Sequence, residues 1–241
     1  MRGAWYTTFP FLRFAYAREQ WTDRQLRAIP AGETLLDVGA GECPYRDACA
    51  HLRYVSQDSQ QYDGRGDGRG MHTGVWDTSR IDVVSDACAI PVEDRSFQNI
   101  LCTEILEHLP YPDRAIREFA RILKPNGRLI LTAPFWSLTH FAPFHFCTGF
   151  SSYWYRKILA DHNFEILEIR RNGNYFSSIL QELIRTPFVL RKYSRIGAIA
   201  YVAFLCILPT VLVIHLLSCL SKKSEEQLCD SVCVLARRMS Y

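Results

Sequence analysis

The sequence lacks the cysteine pattern of a disulfide framework or a zinc site. Its nine cysteines include no C-x-x-C pair, and no histidines stand at the spacing that a zinc site requires. Several cysteines fall in apolar segments, where a thiol acts as a small hydrophobic group. The N-terminal stretch also lacks the long apolar core of a secretion signal. These absences predict a reduced, cytoplasmic protein without a bound metal.

A strong excess of one charge is missing as well. The 28 basic and 25 acidic residues leave a formal net charge of +3, which is too small to favour a general nucleic-acid binder. Hydrophobic residues make up 48% of the 241 residues, enough for a packed core. The composition therefore predicts a folded protein without a nucleic-acid partner.

Short apolar runs alternate with helical patterns along the chain, which is typical of a doubly wound parallel sheet. Helical periodicity begins at Pro112, and a second helix is predicted over residues 151–163. Seven runs are predicted strands: residues 34–38, 53–58, 81–86, 99–103, 128–132, 164–169 and 231–236. We therefore predict an α/β, Rossmann-like fold with seven strands and an apolar helical insertion between the sixth and seventh.

The first predicted strand runs directly into a glycine-containing motif, Asp37-Val38-Gly39-Ala40-Gly41. The two glycines permit a sharp turn and a close approach of the backbone to a ligand. Position 44 is proline, so the phosphate-binding G-x-G-x-x-G pattern is absent. The motif favours a cofactor that offers a carboxylate and an amino group. By itself it also fits an ordinary turn between a strand and a helix.

Acidic residues close the next two predicted strands. Asp58 ends the second strand, where a carboxylate can accept hydrogen bonds from both hydroxyls of a ribose. Asp86 ends the third strand, where it can accept a hydrogen bond from an adenine amino group while apolar neighbours such as Ala87 cover the ring. Each acid alone also fits a solvated strand end. Three acids at three successive strand ends favour a nucleoside site.

Three segments carry a resemblance to a known family: LLDVGAGECPYRD, SDACAIPVEDRSFQNILCTEILEHL and REFARILKPNGRLILTAPF. Over these segments the chain resembles class I S-adenosylmethionine-dependent methyltransferases of the methyltransferase type 11-like kind. The resemblance implies S-adenosylmethionine as the cofactor, bound at the carboxyl ends of the strands. The implied contacts are Asp37, Gly39, Gly41 and Glu104 at the methionine part, Asp58 at the ribose, and Asp86 with Ala87 at the adenine. The GECPYRD motif and an H-x-x-P segment are further similar to those of methyltransferases of bacterial polysaccharide and cell-envelope biosynthesis.

Candidate catalytic residues are three histidines that follow the fourth and fifth predicted strands. A hydroxyl acceptor needs a base that removes its proton near the transition state. His140 and His145 lie in the aromatic segment FWSLTHFAPFHF, which suits a pocket for a sugar, a phenol or a lipid-like acceptor. We predict His140 as the first candidate base, His145 as the second and His108 as the third. An apolar lid with structural histidines is the alternative.

Residues 196–217 form an apolar run that contains no formally charged side chain apart from a possible charge on His215. The flanking cations, which suit anionic lipid head groups, are Arg185, Arg191, Lys192, Arg195, Lys222 and Lys223. Because a seventh strand has to return to the same sheet, a single crossing would leave that strand on the wrong side of a membrane. We predict a monotopic or re-entrant anchor at the cytoplasmic face of a membrane. A single span, an acyl-binding lid and a dimer interface are alternatives.

The sequence thus predicts a methyltransferase domain over 1–173, a membrane-contacting insertion over 174–224 and a C-terminal segment over 225–241. The predicted reaction is methyl transfer from S-adenosylmethionine to a small-molecule, sugar or lipid-linked acceptor, chiefly on oxygen. C-methylation of a quinone- or isoprenoid-type lipid is one alternative. A non-catalytic, membrane-bound partner protein is another, although the intact set of cofactor residues weighs against it.

Overall fold

The computed structural model describes residues 13–71, 74–194 and 199–240. Contacts divide the chain into two units. One unit comprises Arg18–Arg170 with Ser231–Tyr241, and the other contains Arg171–Asp230. The chain therefore leaves the first unit near residue 170 and returns to it at residue 231. The predicted boundaries, after residues 173 and 224, stay predictions.

A seven-stranded sheet organises the fold. The strands are β1 (Thr34–Val38), β2 (Arg53–Asp58), β3 (Val83–Val84), β4 (Phe97–Thr103), β5 (Leu123–Pro134), β6 (Phe164–Asn172) and β7 (Ser231–Arg238). Their order across the sheet is β3-β2-β1-β4-β5-β7-β6. β1 pairs in parallel with β2 and β4, and β4 pairs in parallel with β5. β7 runs antiparallel to β5. The predicted seven-stranded, doubly wound sheet is confirmed.

Five α-helices accompany the sheet in the described ranges: α1 (Arg13–Arg27), α2 (Pro112–Ile122), α3 (Ser152–Asp161), α4 (Tyr175–Tyr193) and α5 (Ile199–Leu220). In α2 the spacing of Ala115, Ile116 and Phe119 gives one apolar face, and all three residues are fully buried. The helix α3 begins after Ser151, whose side chain accepts a hydrogen bond from the Trp154 amide. Helical periodicity therefore predicted α2 and α3 correctly, whereas Asp113, the cap expected for α2, lies inside the helix and Tyr111 precedes it as the cap.

Two predicted elements differ from the structure. The run over residues 81–86 contains only a two-residue strand, because the Asp82 carboxylate accepts hydrogen bonds from the amide and the hydroxyl of Ser56 and so occupies the neighbouring edge of β2. The prediction that the segment 124–127 separates α2 from a strand starting at 128 was wrong. β5 begins at Leu123, directly after the helix, and Asn126 adopts a positive φ of 63° within it.

The sheet topology creates a position where a ligand can bind. The chain proceeds from β1 to β2 on one side, while β4 pairs with the opposite edge of β1. Loops that leave the carboxyl ends of β1 and β4 therefore diverge and open a crevice between them. In open α/β sheets such a switch point is the usual ligand site.

The unit Arg171–Asp230 contains two long helices. α4 begins with a capping box, in which Asn174 and Ser177 exchange hydrogen bonds between side chain and backbone. α5 follows it, and Asn174 also donates to the carbonyl of Ser218 near the end of α5 (3.0 Å). Within the described ranges, none of the helices has the combination of length and apolarity needed to cross a membrane.

Candidate functional site

The loop after β1 turns at two glycines with positive φ. Gly39 has a φ of 68° and Gly41 a φ of 51°. A Cβ built on Gly39 would overlap the side chain of Ile105, which lines the crevice described above. The Ala40 amide donates to the carbonyl of Gln57 at the end of β2 (2.9 Å), which holds the loop against the sheet. The predicted need for glycine at position 39 is thus explained by both backbone angle and space.

Asp37 lies beneath this loop. Its side chain is almost fully buried, and its Oδ2 accepts a hydrogen bond from the Tyr54 hydroxyl (2.5 Å). Burial raises the pKa of Asp37 to about 7, although the hydrogen bond from Tyr54 opposes that rise. Among the described residues, Asp37 and Gly41 do not line the pocket, whereas Gly39 does. For Asp37 and Gly41, contact with the cofactor stays a prediction.

Asp58 and Asp86 both line the pocket, at the ends of successive strand segments. Asp58 accepts hydrogen bonds from the amides of Gly41 (3.0 Å) and Gln60 (2.7 Å), so it shapes the glycine loop while it faces the crevice. Asp86 accepts a hydrogen bond from the Cys88 amide (2.8 Å). Ala87, the buried residue that directly follows Asp86, also lines the pocket. The structure thus brings the predicted ribose and adenine residues to one cavity.

Glu104 lines the same pocket from the end of β4. It has a φ of 55°, and its Oε1 accepts a hydrogen bond from the Thr132 hydroxyl (3.0 Å). Its other oxygen forms an ion pair with Arg18 of α1. Glu104 raises the pKa of Arg18 further above its usual value, against the effect of burial. This arginine fixes the orientation of a predicted cofactor residue, and the sequence analysis did not identify it.

Gln57 is a second residue that the sequence analysis missed. It is buried at the end of β2 and lines the pocket. Its side-chain amide donates to the carbonyl of Ser85 (2.6 Å) and accepts from the Gly39 amide (3.3 Å). It therefore ties the glycine loop to the segment that carries Asp86.

The pocket itself has a volume of about 230 Å³. Its polar residues lie at the strand ends, and its opposite wall is aromatic. Tyr62 stacks on Phe141 with ring centroids 4.6 Å apart, and Trp76 meets the same ring edge-on at 5.3 Å. The wall also includes Phe144 and Phe146. Carboxylates that accept hydrogen bonds, beside rings that cover an apolar face, are what a nucleoside cofactor and an organic acceptor require.

The three predicted histidines form a cluster. The ring centroids of His108 and His140 are 4.7 Å apart, and those of His140 and His145 are 4.8 Å apart. Burial lowers the pKa of His108 to about 4 and also lowers the pKa of His145. Of the three, only His108 lines the pocket within the described part of the chain. The choice of His140 as the first base therefore stays a prediction.

Glu107 lies against this cluster and is buried. Burial and the nearby charge of Glu104 raise its pKa well above the usual range. Its backbone carbonyl accepts hydrogen bonds from the amides of Phe146 (2.9 Å) and Cys147 (3.1 Å). These two bonds hold the loop after β5 against the turn after β4.

Comparison with known proteins identifies the central segment of the chain. Residues 36–131 match the family model described as Methyltransferase domain. Over 122 residues the chain is 34% identical to 27-O-demethylrifamycin SV methyltransferase of Amycolatopsis mediterranei, a match that covers 48% of this chain and 44% of the relative. Over 109 residues it is 33% identical to a ubiquinone biosynthesis O-methyltransferase of Xanthomonas axonopodis pv. citri, covering 44% and 45%. The chain thus spans less than half of the length of these curated relatives.

Solved structures resemble the whole fold. The cyclase SpnF has a TM-score of 0.58 and 19% identity, with 100% of this chain and 85% of that chain covered. A putative methyltransferase from Bacillus halodurans has a TM-score of 0.53 and 19% identity, with 91% and 98% covered. Identities this low establish the fold alone.

These matches confirm several predictions. The fold is that of class I methyltransferases, as predicted. Residues 36–131 match a methyltransferase domain, and the cofactor predicted for such a domain is S-adenosylmethionine. The pocket fits this group, because a Cβ at Gly39 would crowd the cavity and because Asp58 and Asp86 face it from adjacent strand ends.

Proposed function

We propose that this protein transfers a methyl group from S-adenosylmethionine to the oxygen of a small-molecule, sugar or lipid-linked acceptor. One observation carries the proposal: strand-end carboxylates and an aromatic wall share a cavity of about 230 Å³ at the switch point of the sheet. The names of two relatives specify O-methylation or an O-demethylated substrate, which supports oxygen as the acceptor atom.

The chain's own residues contribute binding and alignment. When bound, the cofactor supplies an electrophilic methyl group on its sulfonium. Because methyl transfer is an in-line displacement, the protein chiefly holds the acceptor in position and excludes water. Asp58 and Asp86 can hold the nucleoside part through hydrogen bonds, while the rings of Trp76 and Phe141 cover the cavity. His108 is the histidine on the pocket wall, so it can help to position the acceptor there.

Substitution of Asp58 by alanine tests the cofactor site. Loss of charged hydrogen bonds is expected to weaken binding of S-adenosylmethionine by roughly 1–3 kcal/mol, or about 5- to 150-fold. The measurement is calorimetric titration of S-adenosylmethionine into the purified protein. Asp161→Ala is the matched control, because Asp161 is an exposed aspartate at the end of α3 that pairs with Lys157. Equal affinities of Asp58→Ala and the wild type would remove Asp58 from the site.

We also propose that the helical pair α4–α5 contacts the cytoplasmic face of a membrane, which would give the enzyme access to lipid-linked acceptors. The described part of α5 exposes large apolar side chains, among them Leu205, Leu212 and Leu216 at 67%, 63% and 59%. α4 carries Arg191 and Lys192 in its last turn, and cations of this kind favour anionic head groups. An exposed apolar helix beside a basic one is typical of an interfacial anchor.

Flotation with lipid vesicles tests this anchor. The wild type is expected to float with vesicles of phosphatidylcholine and phosphatidylglycerol, and less with phosphatidylcholine alone. The double variant Leu212→Asp/Leu216→Asp should stay in the soluble fraction, whereas Leu167→Asp, an exposed leucine in β6, should float like the wild type. Flotation of the double variant at the wild-type level would contradict the anchor. A wild type that fails to float but elutes as a dimer would favour the dimer interface.

A further inference from the structure

The buried carboxylate of Glu107 has two oxygens that accept no hydrogen bond within the described part of the chain. The side chain is only 1% exposed, so solvent does not compensate. An unsatisfied buried carboxylate is costly, and its persistence in a structure requires a proton or a cation beside it. The groups that face it decide between the two.

Two imidazoles face Glu107, and backbone carbonyls fix their orientation. Nδ1 of His108 lies 2.5 Å from the carbonyl oxygen of Phe144, and Nδ1 of His140 lies 2.8 Å from that of Leu138. A carbonyl oxygen only accepts, so Nδ1 carries the hydrogen in both rings. In the neutral imidazole, Nε2 then holds the lone pair.

The two Nε2 atoms converge on the same carboxylate oxygen. Nε2 of His108 is 3.7 Å and Nε2 of His140 is 3.9 Å from Oε1 of Glu107. One ligand atom from each residue lies within 4.8 Å of the other two. Two imidazole nitrogens and a carboxylate oxygen thus converge on one point, and a set of electron-pair donors of this kind is what a metal ion requires.

We propose that Glu107, His108 and His140 bind one divalent transition-metal ion, with zinc as the first candidate. Imidazole and carboxylate together suit zinc and its neighbours, whereas magnesium and calcium prefer oxygen ligands alone. Bonds of about 2.1 Å in a tetrahedral site separate the ligand atoms by about 3.4 Å, so each of the two distances from Nε2 to Oε1 needs to shorten by only a few tenths of an ångström. The bond from each Nδ1 to a carbonyl is the arrangement that orients metal-binding histidines in other proteins.

The chain spacing explains why the sequence analysis expected no metal. Glu107 and His108 are adjacent in the turn after β4, and His140 follows β5, more than thirty residues later. The amide bonds from Phe146 and Cys147 to Glu107 bring the two loops together. His145 is not in the ligand set, because its Nε2 lies 3.1 Å from the Ser137 hydroxyl.

Three protein ligands leave a fourth position, as in catalytic zinc sites. Because His108 lines the pocket, the ion would lie at the pocket wall, where an acceptor oxygen could be its fourth ligand. This last consequence rests on the proposed function, whereas binding of the ion does not.

Titration with Co²⁺, as a coloured substitute for Zn²⁺, tests the site. Tag-free protein is treated with a chelator, dialysed and titrated while visible absorption is recorded, and Zn²⁺ is then added to displace the Co²⁺. The wild type is expected to bind one Co²⁺ per chain, with the intense absorption of a four- or five-coordinate ion. His140→Ala and Glu107→Gln should each weaken binding by roughly 100-fold or more. His162→Ala, which removes a histidine at the end of α3, should bind as the wild type does.

Glu107→Gln separates metal binding from a structural role, because glutamine preserves the shape and neutral charge of a protonated glutamate. If Glu107 is merely protonated, this variant should resemble the wild type in Co²⁺ titration as well as in circular dichroism, and the proposal is then wrong. Absence of Co²⁺ binding by the folded wild type would also overturn it. Titration of S-adenosylmethionine into the metal-free protein distinguishes the two proposals. Cofactor binding without Co²⁺ binding refutes the metal site alone, and the reverse refutes the cofactor site alone.

Discussion

Substitution of Gly39 by alanine is expected to weaken binding of S-adenosylmethionine by roughly 10-fold or more, since each 1.4 kcal/mol corresponds to a factor of ten. Alanine at a φ of 68° costs about 1–2 kcal/mol in backbone strain. The new Cβ also overlaps the side chain of Ile105, which has to move, and Ile105 lines the pocket. Calorimetric titration measures the affinity, and thermal unfolding measures the accompanying loss of stability.

The chain offers a matched control for this experiment. Gly32 has a φ of 82°, and a Cβ there would meet no atom within 4 Å. Gly32→Ala therefore carries the backbone strain without the collision and should keep the wild-type affinity. In the double variant Gly39→Ala/Ile105→Ala, the collision is relieved, so part of the lost affinity should return. Wild-type affinity in Gly39→Ala itself would show that the loop does not approach the cofactor.

Replacement of Arg18 by methionine is expected to lower the free energy of unfolding by roughly 2–3 kcal/mol. Removing one partner of a desolvated charge pair commonly costs 2 kcal/mol or more, because the remaining charge loses its counterion. Here the remaining charge is Glu104, which lies close enough to the buried Glu107 to raise its pKa. Urea unfolding followed by circular dichroism measures the stability. Affinity for S-adenosylmethionine should fall as well, because Glu104 loses the group that orients it.

Arg27→Met is the corresponding control on the same helix. Arg27 pairs with Asp23, but its side chain is 67% exposed, so the free energy of unfolding should change little. The double variant Arg18→Met/Glu104→Gln should lose less stability than the two single variants together, because residues in direct contact are not additive. Strict additivity would mean that the ion pair contributes nothing to folding.

The strands were predictable because burial on both faces leaves a plain trace in the sequence. β1 has the predicted bounds and is a short, almost wholly buried run. β2 also has the predicted bounds, although only Tyr54 and Val55 in it are apolar and its first residue is exposed. The length of β3 was overestimated, because nothing in the neighbouring sequence indicates that the Asp82 side chain accepts a hydrogen bond from the preceding strand. The start of β5 at Leu123 could not be predicted from the neighbouring sequence either. Its first residue pairs with Phe97, and such long-range pairing overrides the turn signal of the segment 124–127.

The cofactor residues were partly predictable for a topological reason. Parallel strands end at one edge of a sheet, so acids that follow them meet there, as Asp58 and Asp86 do. Arg18 was not predictable, because an arginine within a polar helix looks like any solvated charge. Its partner Glu104 is 86 positions away. Glu107 was missed for a similar reason, since its burial depends on a loop that folds back from β5.

The sheet order has a consequence for synthesis of the chain. β6 reaches β5 only through β7, although β7 is made last and follows α4 and α5. On the ribosome, therefore, both β5 and β6 present an unpaired edge until residues 231–238 emerge, and such edges promote aggregation. Deletion of those residues should thus leave two open edges, and we expect such a chain to require chaperones from the moment it is released.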